Sequence, residues 1–408
     1  MKKPAQTSII AIPVIVAALG YFVDIYDLLM FSIVWKPSLA SLGVSAEDLP
    51  KAGEHIISLQ MYGLLIGGVI WGTMGDKKGR LSVLFGSILL YSIANIANGF
   101  VQTEQQYALV RFIAGLGLAG ELGAGITLVS EIVSKEKRGM ATSLVAGLGL
   151  TGAVVAYFIK QEFDWRTCYF IGGGLGIALL LLRVSVFESG MFSQVKESNI
   201  SKGNFLMFFK QKERFVKYIC AILIGLPTWY VIGVLITFSP VFAKEFGITE
   251  PFDSGKAIMF SYVGISISDV LAGLLSQWMR SRKKALYVFY ALTITCIAVF
   301  FVTKGGGSAA NLYLLAGSLG FATGFWAIFV TMGAEQFGTN LRATAATTIP
   351  NFVRGMLPLM ILLCNAIRSQ TNYVTGTWIA GIIIWAIALI ALVNTKETFG
   401  KDLNYVEV

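Results

Sequence analysis

Long apolar stretches recur along the whole chain, and many come close to the ~20 residues that an α-helix needs to cross the hydrocarbon core of a bilayer. Charged residues make up 13% of the sequence, against about 25% in ordinary soluble domains, and the mean hydropathy is +0.71. The pattern predicts an all-α membrane protein with twelve transmembrane helices. These spans are predicted at residues 9–34, 57–75, 81–101, 105–128, 140–160, 165–184, 217–242, 256–279, 284–303, 311–334, 343–367 and 373–394.

The basic residues give the orientation. Lys2 and Lys3 precede the first apolar run, which is too long for a signal peptide, so we interpret it as an uncleaved first span. Most of the 32 Lys and Arg residues fall in segments that are cytoplasmic if the N-terminus is inside. We therefore expect a multi-pass protein of the cell (inner) membrane with both termini in the cytoplasm. The net charge of +9 then reflects topology and lipid headgroups, not nucleic-acid binding.

Several kinds of chemistry are excluded by what the sequence lacks. Its four cysteines are widely separated, and its single histidine, His55, lies on the predicted external side, so neither residue type has the spacing of a metal or redox site. No glycine-rich phosphate loop ends in a lysine, so ATP is not the energy source. We expect no enzymatic activity, no cofactor and no bound metal.

The sequence also repeats itself at half its length. SEIVSKEKRGMAT holds Glu131 seven positions before Arg138, and AEQFGTNLRATA holds Glu335 seven positions before Arg342. The two motifs are half the chain length apart, and moving the sequence by that distance also carries spans 1 to 5 onto spans 7 to 11 within a few residues. Parallel six-span halves of this kind are one of the ways in which secondary transporters are built.

The repeat predicts the domain organisation. We expect a six-helix bundle at residues 1–184, a pseudo-symmetric six-helix bundle at 217–408, and a cytoplasmic linker at 185–216 between them. The linker contains GNFLMFFKQKERF, in which basic and aromatic residues mix without a long apolar run. This composition favours a segment that lies on the membrane surface, with binding of a partner as the alternative.

The stretch WGTMGDKKGRLS, between spans 2 and 3, resembles the major facilitator superfamily signature G-x-x-x-D-x-x-G-R/K, with Gly72, Asp76, Gly79 and Arg80 matching. In that family the aspartate is thought to lie against the N-terminus of span 11 and to favour one access state. The resemblance implies that these four residues and the two Glu–Arg pairs form a conformational latch. The equivalent stretch SQWMRSRKKAL has Arg280 where Asp76 would map, so we expect that side to have lost the latch.

A narrower resemblance is to the metabolite:proton symporter branch, whose members carry citrate, 2-oxoglutarate, shikimate, or proline and betaine. DIYD looks like the branch's E-W-Y/F-D, with Asp24 in place of the glutamate and Asp27 matching the aspartate. RFIAGLGLAGELGAG looks like its R…G-G-E-x-G-G stretch, with Arg111 and Glu121 matching. This similarity implies the major facilitator fold and transport by alternating access.

Ionisable side chains inside membrane spans are costly and are functional candidates by default. In the fold that the chain resembles, all of the helices that carry them here border a central cavity. Six such residues lie more than three positions from either end of a predicted span: Asp24, Asp27, Arg111, Glu121, Asp269 and Arg354.

The first group predicts proton coupling. Asp27 and Arg111 both fall in the outer halves of their spans, and Asp24 lies three positions from Asp27, so one arginine could serve both carboxylates. We predict that Asp24 and Asp27 load a proton with Arg111 as a switchable partner. A permanent ion pair between spans 1 and 4 and a sodium site are the alternatives. Glu121 is either a proton relay or a structural hydrogen-bonding group.

The second group predicts the substrate site. Arg354 is the candidate to bind a substrate carboxylate, with Arg111 as a second selecting cation; a structural salt bridge from Arg354 to Asp269 is the alternative. Tyr26 and Asn351 complete the predicted site. Further aromatic and amide side chains on cavity helices are candidates to shape the pocket: Gln60, Tyr62, Trp229, Tyr230 and Trp326.

Together these features predict a monomeric proton-coupled symporter that imports a small organic acid or zwitterion by alternating access. A proton-driven exporter of drugs or a siderophore would use the same acids in reverse. A membrane sensor that transports nothing is a third interpretation, which the coupling-type acids and the Gly72–Arg80 signature disfavour.

Overall fold

The computed structural model describes residues 12–78, 80–121, 138–188, 205–400 and 407, and this described part contains helices and no strand. A helix occupies each predicted span, and the span numbers are kept here. Spans 1 to 6 are the helices Ile12–Ser41, Leu49–Lys78, Arg80–Asn98, Glu104–Leu118, Arg138–Glu162 and Trp165–Glu188. Spans 7 to 12 are Lys212–Trp229, Ser254–Trp278, Arg282–Thr303, Ala309–Ala322 with Trp326–Glu335, Thr339–Gly355 with Leu357–Arg368, and Tyr373–Asn394.

Length and composition make these helices membrane spans. Within the described ranges, nine helices are long and apolar enough to cross a bilayer, and Val83–Asn98 is a shorter apolar helix. Span 4 is described to Glu121, so the rest of its predicted length, residues 122–128, lies outside the described residues. Short helices at Met207–Lys210 and Ser239–Glu245 precede and follow span 7.

Polar side chains in the short connections define where spans begin. Asp253, Ser281 and Asn372 each accept a hydrogen bond from the backbone N–H three residues later, at the starts of spans 8, 9 and 12. Thr103 does the same for span 4. Such caps satisfy N–H groups that have no partner inside the helix, so the chain re-enters the membrane at defined residues.

Three spans of the second half are irregular, although the sequence predicts each as one apolar helix. Span 7 continues as a π-helix over Tyr230–Ile236, just after Pro227. Span 10 is interrupted between Ala322 and Trp326, and span 11 at Met356. Irregular backbone is tolerated at membrane depth where it is buried in protein or lines a cavity, and these interruptions border the cavity described below.

Glycines allow pairs of spans to pack backbone against backbone. A Cβ atom at Gly115 would lie 2.1 Å from the carbonyl oxygen of Gln60, so span 4 packs directly on span 2. In the second half, a Cβ atom at Gly320 would lie 2.0 Å from the carbonyl oxygen of Ser261, which brings span 10 equally close to span 8. Small residues of this kind are typical of close helix packing in membranes, and the same pairing occurs in both halves of the sequence.

Contacts between the two halves run along two seams, where span 5 packs on span 8 and span 11 packs on span 2. Span 1 also contacts span 8. At the described end of the connecting segment, Phe205 and Phe208 are buried, and the Phe208 ring stacks on Tyr218 of span 7 with 4.4 Å between centroids. This end of the segment therefore packs on the second half.

Candidate functional site

A central cavity lies between the two halves, at the level where spans 7, 10 and 11 are irregular. Spans 1 and 5 contribute its wall from the first half, and spans 7, 8, 10 and 11 contribute the rest. Its lining residues are Tyr21, Ile25, Leu150, Thr228, Trp229, Ile232, Tyr262, Ile265, Asp269, Thr323, Trp326 and Arg354. Two of the six predicted intramembrane charges, Asp269 and Arg354, line it directly.

Arg354 is held between two tryptophan rings in this cavity. The centre of its guanidinium lies 5.9 Å from the Trp229 ring centroid and 5.8 Å from that of Trp326. The side chain is only 2% exposed, and its Nε and Nη1 atoms have no hydrogen-bond partner among the described residues. A buried guanidinium with free N–H donors is set up to receive an anionic group, because leaving such donors unsatisfied is costly.

Asp269 does not form the salt bridge that the alternative interpretation of Arg354 gives it. Its Oδ1 atom accepts a hydrogen bond of 2.9 Å from the backbone N–H of Ala327, in the first turn of the second segment of span 10. No ion pair joins Asp269 to Arg354 in the described residues. The carboxylate thus caps a helix start, which leaves Arg354 available.

The two aspartates of DIYD do not share one environment. Asp24 and Asp27 are both fully buried, and no oxygen of either has a hydrogen-bond partner among the residues described. Among the charged groups around them, Arg354 of the other half has the largest electrostatic effect on Asp24, whereas Arg111 has the largest effect on Asp27. Each of the two aspartates is therefore influenced most by a different arginine.

Arg111 does not form the direct ion pair with Asp27 that the depth argument predicts. Its Nη1 donates a hydrogen bond of 3.1 Å to Oδ1 of Asn95, and its guanidinium lies 5.1 Å from the Tyr169 ring centroid. Arg111 is fully buried and away from the lining of the central cavity. In this conformation Arg111 therefore does not contact the central cavity.

Glu121 is paired with a residue that the sequence interpretation missed. Arg183 binds it through two hydrogen bonds, one of them 3.0 Å from Nη1 to Oε2, and both side chains are buried. Arg183 lies one residue before the predicted end of span 6, where topology already accounts for a basic residue. Its position within ALLLLRVSVF, with apolar residues on both sides, is the signal that would have identified it.

Tyr26 and Asn351 lie outside the cavity lining. The Tyr26 hydroxyl donates to the carbonyl oxygen of Cys168 over 2.9 Å, inside the first half. Asn351 Nδ2 donates to the carbonyl oxygen of Ala119 over 2.8 Å, which joins span 11 to span 4 across the two halves. In this conformation neither side chain is directed to a ligand. Trp229 and Trp326, two of the pocket-shaping candidates, are part of the lining.

Most of the side chains in the first predicted latch lie outside the described part of the chain. Gly79 and Glu131 lie outside the described residues, and so do the side chains of Asp76, Arg80 and Arg138. Gly72 is described: a Cβ atom there would lie 3.4 Å from Thr348 Cγ2 of span 11.

The second predicted latch is better defined. Glu335 forms two hydrogen bonds with Arg282, of 2.6 and 2.7 Å, while Nη2 of Arg342 donates to the carbonyl oxygen of Phe337 over 3.3 Å. In the second half, Arg280 stands where Asp76 would map. An acidic side chain from beyond span 12 nevertheless lies at this loop. There, Glu397 accepts hydrogen bonds from the Ser281 hydroxyl and from two backbone N–H groups at the start of span 9.

A second missed pair joins the two halves on the side that the sequence predicts to be external. Arg368 of span 11 binds Glu54 of span 2, and little of either side chain is exposed. Lys160 and Asp253 form another ion pair between spans 5 and 8. Charge alone could not reveal these partners, because their charges lie near predicted span ends, where topology already accounts for lysine and arginine.

An all-helical membrane protein whose parallel halves enclose a cavity with buried charges has the architecture of a secondary transporter. The model of the Major Facilitator Superfamily matches residues 17–355, and the chain belongs to that superfamily. The match confirms the predicted twelve-helix fold and a transporter rather than an enzyme.

Relatives and solved structures agree with this membership. A protein of Bacillus subtilis (strain 168) that is named for niacin/nicotinamide transport is 27% identical over 95% of this chain and 96% of its own length. The 3-(3-hydroxy-phenyl)propionate transporter of Escherichia coli (strain K12) is 25% identical over 84% of this chain and 85% of its own. A crystal structure of a D-xylose-proton symporter superimposes with a TM-score of 0.68 and 18% identity, covering 96% of this chain and 99% of that one, which shows the shared fold.

Proposed function

We propose that this transporter is a proton-coupled symporter that imports a small organic anion, and that the anion is an aromatic carboxylate. The observation that carries the proposal is Arg354, a buried guanidinium with unpartnered nitrogens between two tryptophan rings in the central cavity. The wider class of small anionic or zwitterionic metabolites is what the sequence alone predicts.

The carboxylate preference follows from the geometry of arginine. Its planar guanidinium can give two parallel N–H···O bonds to one carboxylate, and charge-assisted bonds of this kind are roughly twice as strong as neutral ones. Among the described residues, Asp269 is occupied by the backbone of Ala327 and does not compete for Arg354. A substrate carboxylate would satisfy donors that this conformation leaves unsatisfied.

The aromatic preference follows from the two indole rings. Trp229 and Trp326 line the cavity on either side of Arg354, so a ligand whose carboxylate reaches the guanidinium brings its body against them. Aromatic pairs in offset or edge-to-face arrangements gain about 0.5–1.5 kcal/mol beyond area burial. The names of the two relatives support an aromatic substrate: niacin is a pyridine carboxylate and 3-(3-hydroxyphenyl)propionate a phenyl-substituted one, while the first name also includes nicotinamide, the uncharged amide of niacin.

Proton coupling is proposed to run through the DIYD aspartates. Arg354 is the main charge that stabilises ionised Asp24. A substrate carboxylate on Arg354 would neutralise that charge, so Asp24 would take up a proton as the substrate binds. Asp27, on which Arg111 and Asp24 both act, is proposed to pass this proton to and from Asp24. Substrate and proton would then load together and leave together.

Alternating access is proposed to use rocking of residues 1–184 against 217–408. In this conformation the predicted external side is closed by the Glu54–Arg368 and Lys160–Asp253 pairs, which both join the halves. Import would require these pairs to separate and re-form in each cycle.

Uptake into proteoliposomes tests the proposal. With an inward proton gradient, we expect radiolabelled nicotinate and benzoate to accumulate, and nicotinamide, which has the same ring without the charge, to be taken up at least about tenfold less efficiently. Citrate and betaine test the wider substrate class. Asp27→Asn should exchange nicotinate yet fail to accumulate it. The proposal would be contradicted if nicotinate accumulated without a gradient or if nicotinamide were taken up equally well. Substrate transport only in the direction opposite to the proton gradient would also contradict it and would favour the exporter.

A further inference from the structure

The carboxylate of Asp27 occupies a gap in span 6. A Cβ atom built on Gly172 would lie 2.4 Å from Oδ1 of Asp27 and 2.9 Å from Cε1 of Tyr26. The aspartate therefore fills the volume that a side chain at position 172 would take. Span 6 belongs to the helices that the sequence argument assigns to the outer packing layer, yet it forms one wall of the space around Asp27.

We propose that Gly172 is a positioning residue for Asp27, and this inference rests on the proposed proton-coupling role of that aspartate. Because Gly172 lacks a side chain, the carboxylate can lie against span 6, where it is fully buried. Of the charged groups around it, Arg111 has the largest effect on it there. Any side chain at position 172 would move the carboxylate relative to that charge. Since the energy of a buried charge pair varies steeply with distance, the move changes how readily Asp27 binds a proton.

The neighbouring glycines of span 6 show that this contact differs from helix packing. A Cβ atom at Gly173 would lie 2.6 Å from Cγ1 of Ile96 but also 2.8 Å from the carbonyl oxygen of Ser92, so that glycine brings two backbones together. At Gly172 the obstructing atoms are side-chain atoms only, and the nearest is the far end of an aspartate. Gly172→Ala is therefore expected to displace the carboxylate while spans 1 and 6 stay packed. Gly174 is exposed and a Cβ atom there would have nothing within 4 Å.

Polar groups near Asp27 could form new hydrogen bonds with its carboxylate if the carboxylate moved. Asn95 is buried nearby, where its Oδ1 accepts from Arg111. Both Asp27 oxygens, Asn95 Nδ2 and two nitrogens of Arg111 have no hydrogen-bond partner among the described residues. A displaced carboxylate thus has several donors to turn to, and each new partner would change the relative stability of its charged and protonated forms.

The test compares nicotinate uptake and nicotinate exchange as a function of pH in proteoliposomes of Gly172→Ala, Gly174→Ala and wild type. We expect the pH of half-maximal uptake to shift by at least about half a unit in Gly172→Ala, which is about threefold in the proton equilibrium, and to stay unchanged in Gly174→Ala. In the Asp27→Asn background, Gly172→Ala should cause no further shift in the pH dependence of exchange, because the titrating carboxylate that it positions is already gone.

The outcomes separate this inference from the proposed function. Gradient-driven accumulation by Asp27→Asn would overturn the coupling role of Asp27 and with it both proposals. A defective Asp27→Asn beside a Gly172→Ala with the wild-type pH profile would overturn only the role of Gly172. Should Gly172→Ala not reach the membrane, expression restored in Asp27→Ala/Gly172→Ala would show that the added methyl meets the carboxylate. If neither variant reaches the membrane, helix packing rather than the carboxylate excludes a side chain at position 172, and the inference is overturned.

Discussion

Arg368 donates a hydrogen bond of 2.6 Å from Nη1 to Oε1 of Glu54 and so joins span 11 of the second half to span 2 of the first. The pair is almost closed to solvent, with side-chain exposures of 9% and 8%. Asn365 donates to the other carboxylate oxygen over 2.9 Å, and the Arg368 guanidinium lies 3.8 Å from the Tyr373 ring centroid. One charged side chain from each half therefore closes the predicted external end of the cavity.

Glu54→Gln should open this end of the molecule. Removing one partner leaves the Arg368 charge buried and unpaired, which costs about 3–5 kcal/mol in comparable sites. We expect a lower melting temperature in detergent. A cysteine introduced in the cavity by Thr228→Cys should also react faster with a membrane-impermeant maleimide added outside, measured above the labelling of the parent protein. The matched control is Glu47→Gln, an exposed glutamate in the loop before span 2. Equal labelling in the two variants would show that the Glu54–Arg368 pair does not hold the cavity closed.

Arg354→Lys should weaken substrate binding although it keeps the positive charge. Lysine cannot present the planar pair of donors that a carboxylate accepts, so we expect the KM for nicotinate to rise about tenfold or more, which corresponds to about 1.4 kcal/mol. Initial rates of uptake over a concentration series measure it. Arg280→Lys makes the same replacement at an exposed position and should leave the KM unchanged. An unaltered KM in Arg354→Lys would remove this residue from the substrate site.

Asp269 should tolerate asparagine better than alanine. Its role in this conformation is to accept a hydrogen bond from Ala327 N–H at the start of a helix segment, and an asparagine oxygen can accept the same bond. We expect Asp269→Ala to cost about 0.5–2 kcal/mol of stability and Asp269→Asn much less. Thermal unfolding in detergent measures both. Equal destabilisation by the two substitutions would instead indicate that the charge of Asp269 stabilises the fold, as in a salt bridge to Arg354.

Glu397 gives a pH-dependent prediction. Partial burial raises its pKa, but hydrogen bonds from the Ser281 hydroxyl and from three backbone N–H groups outweigh burial and lower the pKa to about 2. A carboxyl whose pKa is lower in the folded state stabilises that state above its unfolded pKa of about 4.3, and this contribution is lost as the pH falls towards the folded value.

We therefore expect Glu397→Gln to melt below wild type at pH 7, with a difference that shrinks between about pH 4.5 and pH 2. Glu213→Gln removes an exposed glutamate on the same predicted face and should have a small effect throughout, because exposed ion pairs contribute little. A difference that is constant over this range would mean that the charge of Glu397 is not what stabilises the start of span 9.

The span positions follow from the sequence because length and hydropathy decide whether a helix can cross a bilayer. The interruption of span 10 does not, because the backbone N–H of Ala327 just after it is bound by Asp269, a side chain from another span. Depth along the helices correctly brings Asp27 and Arg111 into one region. It does not show which way each side chain points: three residues turn a helix through about 300°, which leaves Asp24 and Asp27 about 60° apart, and a different arginine has the largest effect on each.

Arg183, Glu54 and Arg368 mark the limit of arguing from charge position. An arginine near the end of an apolar run fits both the topology rule and a buried ion pair, and only its tertiary partner distinguishes the two. For Arg183 the surrounding apolar residues favour burial. For Arg368 the sequence offers no such signal, since its partner Glu54 is more than three hundred positions away.

The arrangement around Arg354 also has an optical consequence. Indole fluorescence is sensitive to nearby charge and to aromatic quenchers, and two of the eight tryptophans of the chain flank the guanidinium. A ligand that neutralises this cation would alter the emission of Trp229 and Trp326 directly. The protein therefore carries an intrinsic spectroscopic reporter at its candidate site, and candidate compounds can be ranked by titration of the unlabelled protein before any flux is measured.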